Sequence, residues 1–169
     1  MTIMDIKLLA MDVDGVLTDG SIILHSDGTE LKKFHVYDSA WIRIWHRQGL
    51  KTAVITGRGC PAVAHYMEDL EINFVYQKAV DKIPVFEQLL QDSQIPPQQI
   101  AYIGDDVFDL PVMRRVGFSA VVPQAITELR AAADYITTRS SGCGAVGELI
   151  QYLLKKMNLW DNAMQRYRR

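Results

Sequence analysis

Short apolar runs alternate along this chain with longer stretches whose apolar residues recur every three or four positions. The runs "IKLLAMDV" (6–13), "LKTAVITG" (50–57), "INFVY" (72–76), "IAYIGD" (100–105), "FSAVVP" (118–123) and "ADYITT" (133–138) read as strands. Between them, "SAWIRIWHRQ" (39–48), "PAVAHYMEDL" (61–70), "KIPVFEQLLQDS" (82–93), "DLPVMRRV" (109–116), "AITELRAAA" (125–133) and "GAVGELIQYLLKKM" (144–157) carry helical spacing. Strands alternating with helices predict βαβ units, hence an α/β fold with a parallel sheet between helices. One segment breaks the alternation. Residues 20–36 hold two strand-like runs around Asp27-Gly28, which predicts a β-hairpin directly after the first strand. Beyond the last long helix, Leu159, Trp160 and Met164 in the 158–169 tail are spaced as on an amphipathic helix, able to dock on its own domain or reach a neighbouring chain.

At 169 residues the chain is long enough for one domain with a sizeable core, and no linker, repeat or low-complexity tract divides it, so 1–169 reads as a single unit. The formal charge of −2 provides no basic field and argues against nucleic acid as a partner, the terminal "RYRR" being a short solvated cluster. No apolar run approaches the ~18 residues of a membrane span, and Asp12 and Asp14 interrupt the N-terminal apolar stretch before it can serve as a signal segment. A cytoplasmic protein without membrane contact is expected. The two cysteines, Cys60 and Cys143, have no metal-ligand spacing and read as reduced thiols.

The chemistry sits where predicted strands end. Asp12 and Asp14, in "LLAMDVDGVLTDG", are two apart and face one side of an extended chain, and Gly15 lets the chain turn away. Alone they read as turn or capping aspartates. "YIGDDVFD" places Asp105, Asp106 and Asp109 at a second strand end, and clustered carboxylates call for a cation or raised pKa values. Hard oxygen donors with room for water suit Mg²⁺. "VITGR" offers Thr56, Gly57 and Arg58, a hydroxyl, an accessible amide and a guanidinium suited to phosphate, and "VDKIPVF" starts a helix at Lys82.

Taken in this order, an acidic pair, Thr-Gly, Lys and Gly-Asp-Asp-x-x-Asp resemble the four motifs of the haloacid dehalogenase (HAD) superfamily of phosphotransferases. The resemblance implies a Rossmann-like core and these roles: Asp12 as nucleophile forming an aspartyl-phosphate, Asp14 as general acid then base, Thr56 and the Gly57 amide on the phosphoryl oxygens, and Lys82 neutralising charge. It also implies Mg²⁺ held by Asp12, the main-chain carbonyl of Asp14, and Asp105. The only insert is the 20–36 hairpin, with no room for a cap domain. "VLTDG", "KKFHVYDSAWI", "AYIGDD" and "GCGAVGE" are similar to the capless branch of phosphatases acting on 3-deoxy-D-manno-octulosonate (KDO) 8-phosphate and 2-keto-3-deoxynononate 9-phosphate.

That branch implies a small-molecule sugar-phosphate substrate and a homotetramer whose hairpins and tails close neighbouring sites. It also makes His35 a substrate contact and Asp38 a contact or helix N-cap. Arg58 after Thr-Gly favours the octulosonate ester. Departures stand at Tyr37, Tyr66, Ser141, Cys143 and Gly147, the branch carrying basic residues at several of them; Arg58, Lys32, Lys33 and Arg139 are the remaining cations. A non-catalytic assembly module is the alternative of a different class, disfavoured by retention of all five motif residues.

Overall fold

The computed structural model describes residues 5–168, so Arg169 of the terminal basic cluster lies outside the described residues. Six strands form one parallel sheet: β1 (Leu8–Met11), β4 (Lys51–Ile55), β5 (Phe74–Tyr76), β6 (Ile100–Gly104), β7 (Phe118–Val121) and β8 (Tyr135–Ile136), in the order β5-β4-β1-β6-β7-β8. Strand β1 is central, with Leu8 opposite Lys51 on one side and Ile100 on the other. All four of its residues are buried, which is why an unalternated apolar run marks it in the sequence. The chain builds outward from β1 through β4 to β5, then crosses back to β6. The C-terminal ends of β1, β4 and β6 therefore flank the switch point of the sheet, where open α/β folds leave a crevice.

Helices α1 (Val36–Arg47), α6 (Ala145–Lys156) and α7 (Trp160–Gln165) pack together, while α3 (Lys82–Ser93) packs on α4 (Leu110–Met113); β4 touches both α1 and α3. The remaining helices are α2 (Pro61–Asp69) and α5 (Thr127–Ala132). The tail docks on its own domain through Trp160, whose ring stacks on Trp41 with centroids 5.6 Å apart. The described residues include no cap domain. The stretch 109–116, expected as one helix, is a 3₁₀ turn at Val107–Asp109 followed by the single turn of α4. Pro111 can open a helix, and the chain must then reach β7, with the Gly117 amide spent on the carbonyls of Pro97 and Ile100.

The hairpin is present but short: β2 (Ile23–Leu24) pairs antiparallel with β3 (Glu30–Leu31). Its turn is held by Asp27 Oδ1, which accepts from the Thr29 amide at 2.9 Å and hydroxyl at 2.7 Å, with Gly28 at φ +86°. Two such short strands are marginal alone. Ion pairs at their base fasten them to the core.

Candidate active site

The two glycines of the acidic motifs are required by close approach. Gly15 has φ +85°, and a Cβ built there would lie 2.0 Å from Asp105 Oδ2. A Cβ at Gly104 would lie 2.4 Å from Asp109 Cγ. Without side chains at these positions, the loop after β1 and the loop after β6 press together and bring Asp12, Asp105 and Asp109 into one cluster, a carboxylate oxygen of each within 4.8 Å of the others. A cavity of about 300 Å³ opens on it, lined by Asp12, Asp14, Gly57, Arg58, Lys82 and Asp105 among others, with Val80 and Phe108 exposed at its rim.

Six of the expected site residues thus meet in one cavity. Thr56 adjoins them, buried at the end of β4 with its amide donating to Tyr76 O and its carbonyl accepting from the Ala79 amide. Its neighbours Gly57 and Arg58 line the wall.

The acids divide by environment. Asp12 Oδ1 accepts from the Val13 amide at 2.7 Å and Oδ2 pairs with Lys82 at 3.1 Å. Burial pushes its carboxyl up to about 6, with the Lys82 ammonium opposing and Asp109 adding repulsion. Asp105 rises to about 7 through burial and then the charges of Asp12, Asp109 and Asp106. Asp109 is fully occupied: it accepts from Lys82 (2.6 Å), the Tyr102 hydroxyl (2.6 Å) and the amides of Asp105 (2.9 Å) and Asp106 (3.2 Å). Asp106 caps the following turn through the Val107 amide at 2.6 Å. Each Asp12 oxygen has a single partner where each Asp109 oxygen has two, so Asp12, with Asp105, keeps lone pairs for a cation. Hard donors under mutual repulsion fit Mg²⁺, which relieves what burial and like charge impose.

Tyr102 was not legible as a site residue, because a tyrosine inside a strand of apolar residues reads as core. Its ring is buried, yet its hydroxyl bridges Lys82 (3.2 Å) and Asp109. Glu30 and Lys32 of the hairpin stand behind the cavity wall, on Asp14 and Arg58. Lys32 pairs with Asp14 and, at 2.7 Å, with Glu30, which accepts from Arg58 at 2.9 Å. Their i, i+2 spacing in "TELKK" was the available signal.

Asp38 as helix N-cap requires correction. His35 does not line the cavity; Nδ1 accepts from the Tyr37 amide at 3.2 Å and caps α1, taking the role considered for Asp38. The helix therefore starts at Val36, and Asp38 is buried in its first turn, where Oδ1 accepts from the Gly147 amide at 2.7 Å and Oδ2 has no partner. The departures at 37 and 147 are one packing event. A Cβ at Gly147 would lie 2.7 Å from Tyr37 Cδ1, so the Tyr37 ring occupies the space a larger residue would need. The Arg139 guanidinium lies 4.3 Å from that ring's centre. Tyr66 stacks on Phe34 at 3.9 Å, and Cys60 and Cys143 are free thiols.

Known proteins resemble this chain in sequence and in fold. Residues 71–150 match the model of the haloacid dehalogenase-like hydrolases. The 3-deoxy-D-manno-octulosonate 8-phosphate phosphatase KdsC of Escherichia coli K12 is 41% identical over 159 residues, spanning 94% of this chain and 85% of the relative. The corresponding Moraxella catarrhalis phosphatase, solved in complex with magnesium ion, phosphate ion and KDO, superposes with a TM-score of 0.94 at 39% identity, covering 98% of this chain and 95% of that one. A probable YrbI family phosphatase from Pseudomonas syringae superposes with a TM-score of 0.96 at 37% identity, covering 99% and 95%.

Proposed function

The chain belongs to the haloacid dehalogenase-like hydrolases, and we propose that it is a Mg²⁺-dependent phosphatase of 3-deoxy-D-manno-octulosonate 8-phosphate. The observation that carries this is the meeting of Asp12, Asp14, Lys82 and Asp105 around one cavity, with Gly57 and Arg58 on its wall. The E. coli and Moraxella relatives supply the substrate class.

In this reading Asp12 attacks phosphorus: its oxygen forms the new bond as the ester P–O bond breaks. Asp14 gives its proton to the departing sugar oxygen. Asp14 then takes a proton from water as the water oxygen attacks phosphorus, and the Asp12–phosphorus bond breaks to release phosphate. A carboxylate nucleophile divides one difficult displacement into two, and positioned acid–base help contributes typically ~10²–10⁴-fold. Lys82, bonded to Asp12 and held by Asp109 and Tyr102, offsets the charge that would repel a phosphate dianion. Thr56 and the Gly57 amide bind phosphoryl oxygens, and Arg58 binds the anionic substrate. Asp12, Asp105 and the Asp14 main-chain carbonyl would hold Mg²⁺, which when bound supplies further neutralisation of the phosphate.

The same reading makes the protein a cytoplasmic homotetramer that binds no nucleic acid; among the described residues no helix is long and apolar enough to cross a membrane. Support for assembly comes from the hairpin, where Ile22, Ile23, Leu24 and Leu31 are exposed, Leu24 by 64%. A monomer in analytical ultracentrifugation would overturn the tetramer.

The test of activity is phosphate release from sugar phosphates with Mg²⁺ and with EDTA, using Asp12→Asn as the blank. Strong preference for the octulosonate ester is expected. Preference for 2-keto-3-deoxynononate 9-phosphate would reassign the substrate, and no Asp12-dependent release would leave the assembly-module reading.

A further inference from the structure

Glu30 and Lys32 are two apart on the returning arm of the hairpin, so their side chains share a face, and Leu31 between them points away and is 57% exposed. The Lys32 side chain has no exposed area; of the two adjacent lysines Lys33 is the exposed member, paired with Asp19 at 2.9 Å. The buried ammonium lies between Asp14 Oδ1 and Glu30 Oε1. Glu30 Oε2 accepts from Arg58 Nη2 at 2.9 Å, and Arg58 Nε stands 3.9 Å from Asp14 Oδ2. Two cations and two anions thus close a ring whose members come from the loop after β1, the hairpin and the loop after β4. Burying an ammonium is expensive unless it is paired, and here both partners are anions of the site. The Thr18 hydroxyl, at 3.4 Å, is a more distant neighbour of Asp14.

We infer that Lys32 is a positioning residue for Asp14. It holds Oδ1 and so fixes the direction of Oδ2, the oxygen left to carry the proton to the leaving group and then to take one from water, and Glu30 holds Lys32 and Arg58 in register. The hairpin of the same subunit therefore aligns the acid–base group, and seating the hairpin and aligning Asp14 are one event. This rests on the phosphatase reading, since the direction of Asp14 matters only if it exchanges protons.

The test compares Lys32→Met, which keeps a buried chain of similar length, with Lys32→Arg and the wild type on two esters. The sugar oxygen of 3-deoxy-D-manno-octulosonate 8-phosphate needs a proton to leave; p-nitrophenolate leaves as a stable anion. In rapid-mixing experiments Lys32→Met is expected to slow the first turnover of the sugar ester roughly 30- to 100-fold, the scale of a misdirected acid. Its first release of p-nitrophenolate should stay within about threefold of wild type, followed by slow steady-state turnover because Asp14 also serves the second step. Lys32→Arg should recover much of the loss. Glu30→Gln should give the same selectivity at smaller size, and it decides the matter if Lys32→Met does not fold. Equal slowing of both esters, a change in KM alone, or no change would overturn the inference. If the wild type turns over neither ester in an Asp12-dependent way, it is the phosphatase reading that fails, and the inference falls with it.

Discussion

Replacing Gly15 by alanine should damage cation binding more than folding. The new methyl would sit 2.0 Å from Asp105 Oδ2 and 2.6 Å from its Cγ. Ordinary van der Waals contact begins at 3.4 Å, so the carboxylate must retreat by the difference, roughly 1.4 Å. The backbone adds its own penalty, because φ +85° lies in the left-handed region, where a side chain costs about 1–2 kcal/mol. Gly28 separates the two effects: its φ is +86° and nothing lies within 4 Å of its Cβ position. Gly28→Ala should therefore lose the backbone term alone, with Mg²⁺ dependence unchanged. Gly15→Ala should lose the same backbone term and also raise the half-saturating Mg²⁺ concentration about 10- to 100-fold, the usual result of displacing a metal's surroundings. Urea melts measure the first quantity, and Mg²⁺ titrations by calorimetry and by phosphate release measure the second. Wild-type Mg²⁺ affinity in a folded Gly15→Ala protein would refute the assignment of Asp105 to the cation.

Asp38 should make stability depend on pH. Burial, opposed by the Gly147 amide, raises its carboxyl from 3.8 to about 6, so its contribution is fully present below about pH 4 and lost as pH rises through 6. Against the wild type, Asp38→Asn should gain up to about 3 kcal/mol between pH 4 and 7 in urea melts, and a pH-independent difference would count against the buried ionisation. Tyr102→Phe removes the hydroxyl between Lys82 and Asp109; a loss of about 1.5–3 kcal/mol in stability, with kcat reduced more than KM changes, is expected from melts and steady-state kinetics. Glu148 accepts from Tyr135, the Thr138 amide and hydroxyl, and the Arg139 amide, which hold its carboxyl below the usual range despite burial. Its stabilisation is present above its unfolded pKa and lost as pH falls, so Glu148→Gln should destabilise at neutral pH and approach the wild type under acid, read from thermal melts.

Elements governed by local periodicity were legible: the apolar runs and helical spacings fall on the observed strands and helices, and the strand-end acids fall in one cavity. What escaped depends on contacts between distant segments. Tyr102 looks like core until Lys82 and Asp109, supplied by α3 and the turn after β6, meet its hydroxyl. Lys32 reads only as one of the remaining cations, with nothing to tie it to Asp14, until the hairpin folds back on the loop after β1. Capping of α1 falls to the His35 ring and not to Asp38, whose carboxylate takes the Gly147 amide brought by the α6 terminus from far along the chain.

The fit between Tyr37 and Gly147 also ties two distant positions together for any redesign of the protein. A methyl group added at 147 would meet the Tyr37 ring at 2.7 Å and the Trp41 ring at 3.0 Å, so a larger residue there needs Tyr37 to move or to be replaced. Two sites 110 positions apart in the chain therefore have to be changed together, and they meet at the joint between α1 and α6.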